Sequence, residues 1–172
     1  SVQVNAPFRM LQETYVDLFL ELGLIPEIGL DADALENFSV AEMREIAHSF
    51  HRNKRSITIH GPFLDLSPGS PDPGIRGVTR HRLEQVLALV PIFKPRSIVC
   101  HLGYDEDRYS YFKESWTEHT LEMWKWFGKS LRESGTCLML ENVYENEPEE
   151  MLPLFESLQE HGVGFCFDVG HQ

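Results

Sequence analysis

The sequence lacks a long hydrophobic run, because no apolar stretch approaches the roughly 18 residues that a membrane-spanning helix requires. Residues 1–5 also contain neither the basic region nor the apolar region of a secretory signal peptide. We therefore expect no membrane span, no membrane partner and no secretory leader, and we expect the protein to be cytoplasmic.

Cysteine is scarce and unsuited to cross-linking. The three cysteines, Cys100, Cys137 and Cys166, lie in apolar, strand-like runs rather than at the loop spacings of a disulfide framework or a zinc knuckle. We interpret them as reduced thiols in the core, which is typical of a cytoplasmic protein.

Basic residues are fewer than acidic ones. The sequence has 15 Lys and Arg and 27 Asp and Glu, so its formal net charge is -12. A field of this sign repels polyanions, which disfavours DNA and anionic membranes as partners. DNA stays possible, because bound dications at some of these carboxylates would reverse the field locally.

Short β-rich runs alternate with longer segments of helical period, without low-complexity stretches or internal repeats. Helical crossovers between successive strands predict a parallel sheet, either doubly wound or closed as a (β/α)8 barrel. No glycine-rich G-x-G-x-x-G fingerprint follows the first strand, which weakens the nucleotide-binding doubly wound alternative. We therefore predict the α/β class and an incomplete TIM barrel with about six of its eight β/α units.

The predicted elements can be given bounds from their periodicity and end signals. The strands are Val2–Phe8, Ile25–Leu30, Ser56–His60, Ser97–His101, Thr136–Glu141 and Val163–Asp168. The helices are Leu11–Leu22, Val40–Phe50, Val78–Val90, Tyr111–Leu131 and Pro148–His161. Ser39 and Glu42 form a capping box, and Gly135 and Gly162 end helices just before strands.

Polar residues end four successive predicted strands. They are His60, His101, Glu141 and Asp168, and His171 follows three residues later. Since the carboxyl ends of parallel barrel strands open onto one face, these side chains should converge there. A lone histidine at a strand end is more often a hydrogen-bonded structural residue, but four polar strand ends in succession favour a functional site.

Imidazole nitrogens combined with carboxylate oxygens are the ligand set of zinc, manganese or iron(II), whereas magnesium and calcium prefer oxygen alone. These five residues therefore predict a divalent-metal centre, with zinc favoured and manganese as an alternative. A bridging carboxylate such as Glu141 would hold two ions and lower the pKa of a shared water, which supplies a hydrolytic nucleophile. The loop Gly61–Gly69, rich in proline and glycine, suits a shaped wall above this site.

Two further residues are candidates for substrate binding. Arg76 lies near the start of a predicted helix, where backbone N–H groups favour anions, and its guanidinium could reach a phosphate. The alternative is a solvated helix residue. Asn142 follows Glu141 and either orients a ligand or substrate oxygen or caps the strand end.

Four short motifs carry a resemblance to a known superfamily. They are His60-Gly61-Pro62, Val99–Gly103, Leu140-Glu141-Asn142 and Phe167–His171. In their order and spacing, the chain resembles the xylose-isomerase-like TIM-barrel superfamily, which contains endonuclease IV (AP endonuclease family 2) and many sugar-phosphate isomerases and epimerases. The resemblance spans nearly the whole chain.

The resemblance implies a role for each strand-end residue. By likeness to the endonuclease IV branch, His60 and His101 would ligate one zinc and Glu141 would bridge. Asp168 and His171 would hold neighbouring ions, so that the complete protein carries up to three zinc ions. Leu102 departs from the proline that the endonucleases usually have there. Residues 59–69 and 94–99 also resemble a sugar-phosphate isomerase/epimerase subgroup, some members of which are implicated in cobamide-remodelling phosphodiester hydrolysis.

Three functional hypotheses follow. The first is a zinc-dependent phosphodiester hydrolase, in which a metal-bound hydroxide attacks phosphorus. The second is a sugar or sugar-phosphate isomerase or epimerase with one manganese or magnesium ion, in which Glu141 is a ligand or the catalytic base. The third is an inactive fragment or binding module. Either enzyme would act on a small-molecule phosphodiester or sugar phosphate, and the oligomeric state stays open.

The length differs from that of a whole barrel. A TIM barrel usually takes roughly 250 residues, whereas this chain has 172. We expect residues 1–172 to form a single barrel domain that is truncated at its C-terminus, without strands seven and eight and the further ligands that the superfamily places there.

Overall fold

The computed structural model describes residues 2–145 and 147–171, which form one six-stranded sheet flanked by helices. Each strand pairs in parallel with the next strand along the chain. This order confirms the predicted barrel-type α/β fold, because a doubly wound sheet would reverse its strand order. The strands are β1 (Gln3–Pro7), β2 (Ile25–Gly29), β3 (Thr58–His60), β4 (Ser97–His101), β5 (Cys137–Glu141) and β6 (Val163–Cys166).

Helices make the crossovers between the strands, and the long ones pack side by side, α4 on α5, α5 on α7 and α7 on α8. Within the described residues, none of them is long and apolar enough to cross a membrane. The helices are α1 (Phe8–Met10), α2 (Val16–Glu21), α3 (Ala32–Asn37), α4 (Val40–Arg52), α5 (Pro73–Phe93), α6 (Glu106–Tyr109), α7 (Lys113–Glu133) and α8 (Pro148–Leu158).

The core fills the space between the sheet and these helices. Ile28, Ile59 and Ile98 from neighbouring strands are fully buried, and Phe93 and Phe127 are fully buried on the helical side. Each such side chain contributes about 1.5–3 kcal/mol relative to an exposed one. The apolar residues therefore fix the strands rigidly, which fixes the polar residues at the strand ends.

The predicted end signals are present. Ser39 caps α4, and the Glu42 carboxylate accepts a hydrogen bond from the Ser39 backbone N–H at 2.8 Å, as a capping box requires. Gly135 and Gly162 follow helices at φ values of 75° and 73°, a backbone region that favours glycine. These signals explain why the crossovers stop where the strands begin.

Several predicted bounds were wrong. Strand β6 ends at Cys166, so Asp168 lies two residues beyond the last paired residue. Helix α5 begins at Pro73 rather than five residues later, because Asp72 caps it and accepts a hydrogen bond from the Gly74 N–H. The short helices α3 and α6 were not predicted, and a π-helical turn, Leu11–Tyr15, lies between α1 and α2.

The cysteines are free but not uniformly in the core. Cys100 is buried, and burial raises the pKa of its thiol to about 12. Cys166 is partly buried, and Cys137, the first residue of β5, is exposed. The prediction of core thiols was therefore right for Cys100 and wrong for Cys137, because the apolar run extends to the solvated amino end of the strand.

Candidate metal centre

The end of the sheet holds three of the predicted residues on neighbouring strands. His60, His101 and Glu141 are the last residues of β3, β4 and β5. The register pairs His101 with Glu141 and His60 with Val99. This alignment brings the three side chains to the same edge of the sheet.

These three residues form a first candidate ligand group. One ligand atom from each of His60, His101 and Glu141 lies within 4.8 Å of the others. His60 Nε2 lies 3.5 Å from Glu141 Oε2, and the two imidazole ring centres lie 5.1 Å apart. Such separations suit donors that surround one ion.

A second candidate group contains Glu141, Asp168 and His171, whose ligand atoms also lie within 4.8 Å of one another. His171 Nδ1 lies 3.4 Å from Glu141 Oε1 and 3.8 Å from Asp168 Oδ2. Glu141 thus turns one carboxylate oxygen to each group. The structure brings together all five residues that the sequence singled out as metal ligands.

Backbone carbonyls orient two of the imidazoles. His60 Nδ1 lies 2.9 Å from the carbonyl oxygen of Gly61, and His171 Nδ1 lies 2.8 Å from that of Asn142. His171 Nδ1 also faces Glu141 Oε1, so this nitrogen would give up its hydrogen bond to the carbonyl when it binds an ion. Since a carbonyl oxygen only accepts, His60 Nδ1 is the donor in its contact with Gly61, which leaves the lone pair of Nε2 for an ion. In His60 this lone pair faces Glu141 and the first group.

Burial and neighbouring charges set the protonation of the cluster. Burial, followed by repulsion from His60 and His171, lowers the pKa of His101 to about 4. Burial also raises the pKa of Glu141, an effect that His60 opposes and Asp168 reinforces. An unprotonated His101 beside the facing carboxylates of Glu141 and Asp168 fits a divalent cation, which would accept the imidazole lone pair and relieve the repulsion between the carboxylates.

Asn142 is fully buried and binds the backbone of Asp168 with both ends of its amide. Its Oδ1 accepts a hydrogen bond from the Asp168 N–H at 2.8 Å, and its Nδ2 donates to the Asp168 carbonyl oxygen at 3.1 Å. The side chain therefore positions one candidate ligand, Asp168, while the Asn142 backbone carbonyl holds the ring of His171. This arrangement fits the alternative in which Asn142 orients a ligand, and its contact with a substrate stays a prediction.

Arg76 is not brought to the cluster. Its Nη1 donates to the carbonyl oxygens of Ser70 and Pro71, at 2.6 Å and 3.0 Å. The residue also lies outside the lining of both cavities described below. In this structure it fastens the loop before α5, and its proposed contact with substrate has no geometric support.

The loop after β3 lies against the cluster, as its position in the sequence predicts. Phe63 stacks on His101, with ring centres 4.4 Å apart and planes at 29°, and meets His60 edge to face at 5.3 Å. The loop packs tightly at its far end, where a Cβ atom on Gly69 would clash with Thr120 Oγ1 and the ring of Trp116. Phe63 thus restrains two candidate ligands.

Two residues with a structural part in this region were missed. Phe63 carries no signal in a single sequence, because apolar residues are common in loops of this kind. Glu145 is buried, and its carboxylate accepts hydrogen bonds from the N–H groups of Tyr104, Val143 and Tyr144, at 2.7, 2.9 and 3.2 Å. The one sequence signal for Glu145 is its position four residues after Glu141, in the loop that follows β5.

The cluster opens into a cavity of about 770 Å³, which we call the metal-side cavity. All five predicted ligands line it, together with residues from β1, β2 and the loop after β3. Its lining includes six carboxylates, those of Glu27, Asp31, Asp33, Asp65, Glu141 and Asp168, and one guanidinium, that of Arg82. Arg82 is paired with Glu36, so the cavity is acidic.

The sequence profile of the xylose isomerase-like TIM barrel family matches residues 17–172. An uncharacterized protein of Methanocaldococcus jannaschii, MJ1311, is 23% identical over 126 residues, which cover 70% of this chain and 43% of that protein.

Solved structures share the fold. The TTHB071 protein from Thermus thermophilus, in crystals soaked with ZnCl2, is 28% identical with a TM-score of 0.84, over 98% of this chain and 66% of that one. D-Psicose 3-epimerase from Clostridium cellulolyticum, solved with D-tagatose, is 18% identical with a TM-score of 0.78. That match covers 98% of this chain and 63% of the epimerase. This chain spans just under two thirds of either structure. The profile match and the six parallel strands together show that it belongs to the xylose isomerase-like TIM barrel family.

Proposed function

We propose that the protein acts as a divalent-metal-dependent phosphodiester hydrolase, with zinc held by His60, His101, Glu141, Asp168 and His171. The observation that carries this proposal is the position of Glu141 between two ligand groups, one oxygen toward each. A shared carboxylate is the arrangement that holds two ions side by side, as hydrolytic two-metal sites require.

The acidity of the metal-side cavity supports the same conclusion. Of the six carboxylates, Asp33 is paired with Arg9, and the other five against one paired guanidinium would repel a phosphodiester by simple electrostatics. Bound dications reverse this local field and, when present, supply Lewis acidity and lower the pKa of coordinated water. Cation binding at the cluster is therefore needed before an anionic substrate can enter.

The chain's own residues orient the donors. The Gly61 carbonyl fixes the ring of His60, Phe63 covers His101, and Asn142 fixes Asp168. Partners of this kind determine ligand orientation, and their loss typically costs about 10–100-fold in metal affinity or activity. The zinc soak of the Thermus thermophilus protein is consistent with zinc as the ion here.

A metal-dependent sugar epimerase is the second candidate. The feature that favours it is the raised pKa of Glu141, because a buried carboxyl group beside a substrate can exchange a proton with it. The similarity to D-psicose 3-epimerase concerns the fold alone. The two functions differ in metal stoichiometry, since epimerisation needs one ion and the proposed hydrolysis at least two.

The test combines metal analysis with two activity assays. We expect at least two zinc ions per chain after dialysis, hydrolysis of bis(p-nitrophenyl) phosphate, and no epimerisation of D-fructose. The substitution His101→Ala should reduce hydrolysis by more than the ~100-fold upper range for orienting partners, because it removes a donor itself. His48→Ala, an exposed histidine on α4, is the matched control and should retain both zinc and activity. A single ion with epimerase activity would overturn the proposal.

Asn142 allows the two ligand groups to be tested separately. Asn142→Ala removes both hydrogen bonds to the Asp168 backbone, so we expect zinc affinity to fall by about 10–100-fold in the second group. The first group should keep its ion, which a zinc titration with two resolved steps would show. Asn5→Ala, which removes an amide bound to Glu27 in the same cavity, is the control. Equal loss from both groups would contradict the expectation.

A further inference from the structure

A second cavity of about 890 Å³ adjoins the metal-side cavity, and we call it the side chamber. The two share part of their walls, including His101, His171 and the loop residues Phe63 and Leu64. Phe63, stacked on His101, therefore lies between the two spaces. A molecule bound at the cluster can extend into the side chamber past this ring.

The mouth of the side chamber is unusually apolar for a surface. It carries five large hydrophobic side chains that are between 42% and 76% exposed: Phe63, Leu64, Ile75, Phe112 and Tyr144. Single exposed hydrophobic residues are ordinary, but several around one cavity mark a binding surface. Deeper in, buried Leu83, Tyr109 and Trp124 continue the apolar wall.

The charges at the side chamber disfavour an anion. Its lining includes the carboxylates of Asp65, Asp72 and Asp105 against the single guanidinium of Arg108, besides the candidate ligands His101 and His171. The carboxylates of Asp72 and Asp105 accept hydrogen bonds from backbone N–H groups at the starts of α5 and α6. Both aspartates therefore cap helices, and a phosphate would meet more acidic than basic side chains here.

We propose that the side chamber binds an uncharged, apolar or aromatic part of the substrate whose phosphodiester lies at the metal centre. This inference rests on the proposed function and narrows its substrate to a conjugate larger than a free sugar phosphate. The volume lies within the roughly 300–1,000 Å³ of small-molecule sites. The adjoining walls explain how one molecule occupies both spaces.

The probe for the test is 2-naphthol, an uncharged aromatic molecule, titrated calorimetrically into the metal-free protein and again with zinc bound. Ile75 and Val78 offer matched variants, because both are exposed on α5, at 42% and 53%, and only Ile75 lines the side chamber. We expect Ile75→Glu to weaken 2-naphthol binding by at least about tenfold, equivalent to 1.4 kcal/mol. Val78→Glu should change it by less than about twofold, as an exposed substitution elsewhere does.

The charge of the bound group is tested with the anion 2-naphthoate, which has a similar ring system. We expect it to bind metal-free protein at least about tenfold more weakly than 2-naphthol. Equal binding of the two probes, no binding of 2-naphthol, or equal effects of the two glutamate variants would each overturn the proposal.

The outcome is independent of the proposed function, because 2-naphthol is titrated without metal. Zinc binding and hydrolysis with no 2-naphthol binding would remove the side-chamber proposal alone. Specific 2-naphthol binding in a protein without zinc or hydrolysis would remove the hydrolase proposal alone. If both hold, methyl 2-naphthyl phosphate should have a lower KM than dimethyl phosphate, and Ile75→Glu should raise that KM without affecting dimethyl phosphate.

Discussion

Glu141→Gln is expected to leave the protein unable to retain zinc after dialysis. The carboxylate is the one residue common to both ligand groups, with Oε2 3.5 Å from His60 and Oε1 3.4 Å from His171. An amide presents one weak oxygen ligand and one NH2 donor, which cannot bind a cation. Loss of this residue therefore affects both groups, whereas loss of His60 or Asp168 affects one.

The measurement is zinc content by elemental analysis, with the melting temperature as a check on folding. Glu27→Gln is the matched control, because Glu27 lies in the same cavity on β2 but belongs to neither ligand group. We expect the control to keep its zinc and the Glu141 variant to keep its fold. Wild-type zinc content in Glu141→Gln would exclude Glu141 as the shared ligand.

Glu145→Ala is expected to lower the free energy of unfolding by about 3 kcal/mol. A hydrogen bond to a buried carboxylate typically contributes ~1.5–3 kcal/mol, and loss of the carboxylate also leaves buried N–H donors without an acceptor. Three backbone N–H groups lose this acceptor, those of Tyr104, Val143 and Tyr144. They belong to the loops after β4 and β5, so the carboxylate joins two loops that border the site. Urea denaturation followed by circular dichroism measures the change.

An exposed carboxylate provides the comparison. Glu149→Ala, in α8, should alter the free energy of unfolding by no more than about 0.5 kcal/mol, as is usual for surface substitutions. If Glu145→Ala and Glu149→Ala had equal effects, the buried hydrogen bonds would not stabilise these loops. Zinc affinity should fall less in Glu145→Ala than in Glu141→Gln, because Glu145 belongs to neither ligand group.

The fold was predictable because its signals are local and repeated. Strand β4 has the same bounds in prediction and structure, Ser97–His101, since a buried parallel strand is a short apolar run with clear ends. The capping box at Ser39 and the glycines before β5 and β6 set helix ends by chemistry that a sequence displays directly. The short helices α3 and α6 were missed, because four to six residues give too little periodicity.

The convergence of the candidate ligands was predictable for a geometric reason. Parallel strands in sequence order place their last residues along one rim, so His60, His101 and Glu141 had to be neighbours once the fold was known. Asp168 reaches the cluster from outside the sheet, because β6 ends two residues before it. The apolar run of β6 continues to Phe167, but the Asn142 amide takes the backbone N–H and carbonyl of Asp168, which replaces ladder pairing and ends the strand early.

Contacts between side chains and distant parts of the fold could not be predicted from the sequence. Arg76 stands in the first turn of a helix that starts earlier than its periodicity suggested, and nearby carbonyls capture its guanidinium. Phe63 meets His101 only because the loop after β3 folds back over the rim. Such contacts depend on loop conformation, which no alternation of polar and apolar residues encodes.

The placement of the cluster on successive β/α units has a consequence for how the protein matures. His60, His101 and Glu141 are separated along the chain by whole helical crossovers and meet only through β3–β4–β5 pairing. A partly folded chain therefore offers these three donors separately, and the first ligand group forms only with the sheet. Any ion that the cluster binds favours the assembled sheet by mass action, so metal supply and folding yield are thermodynamically linked.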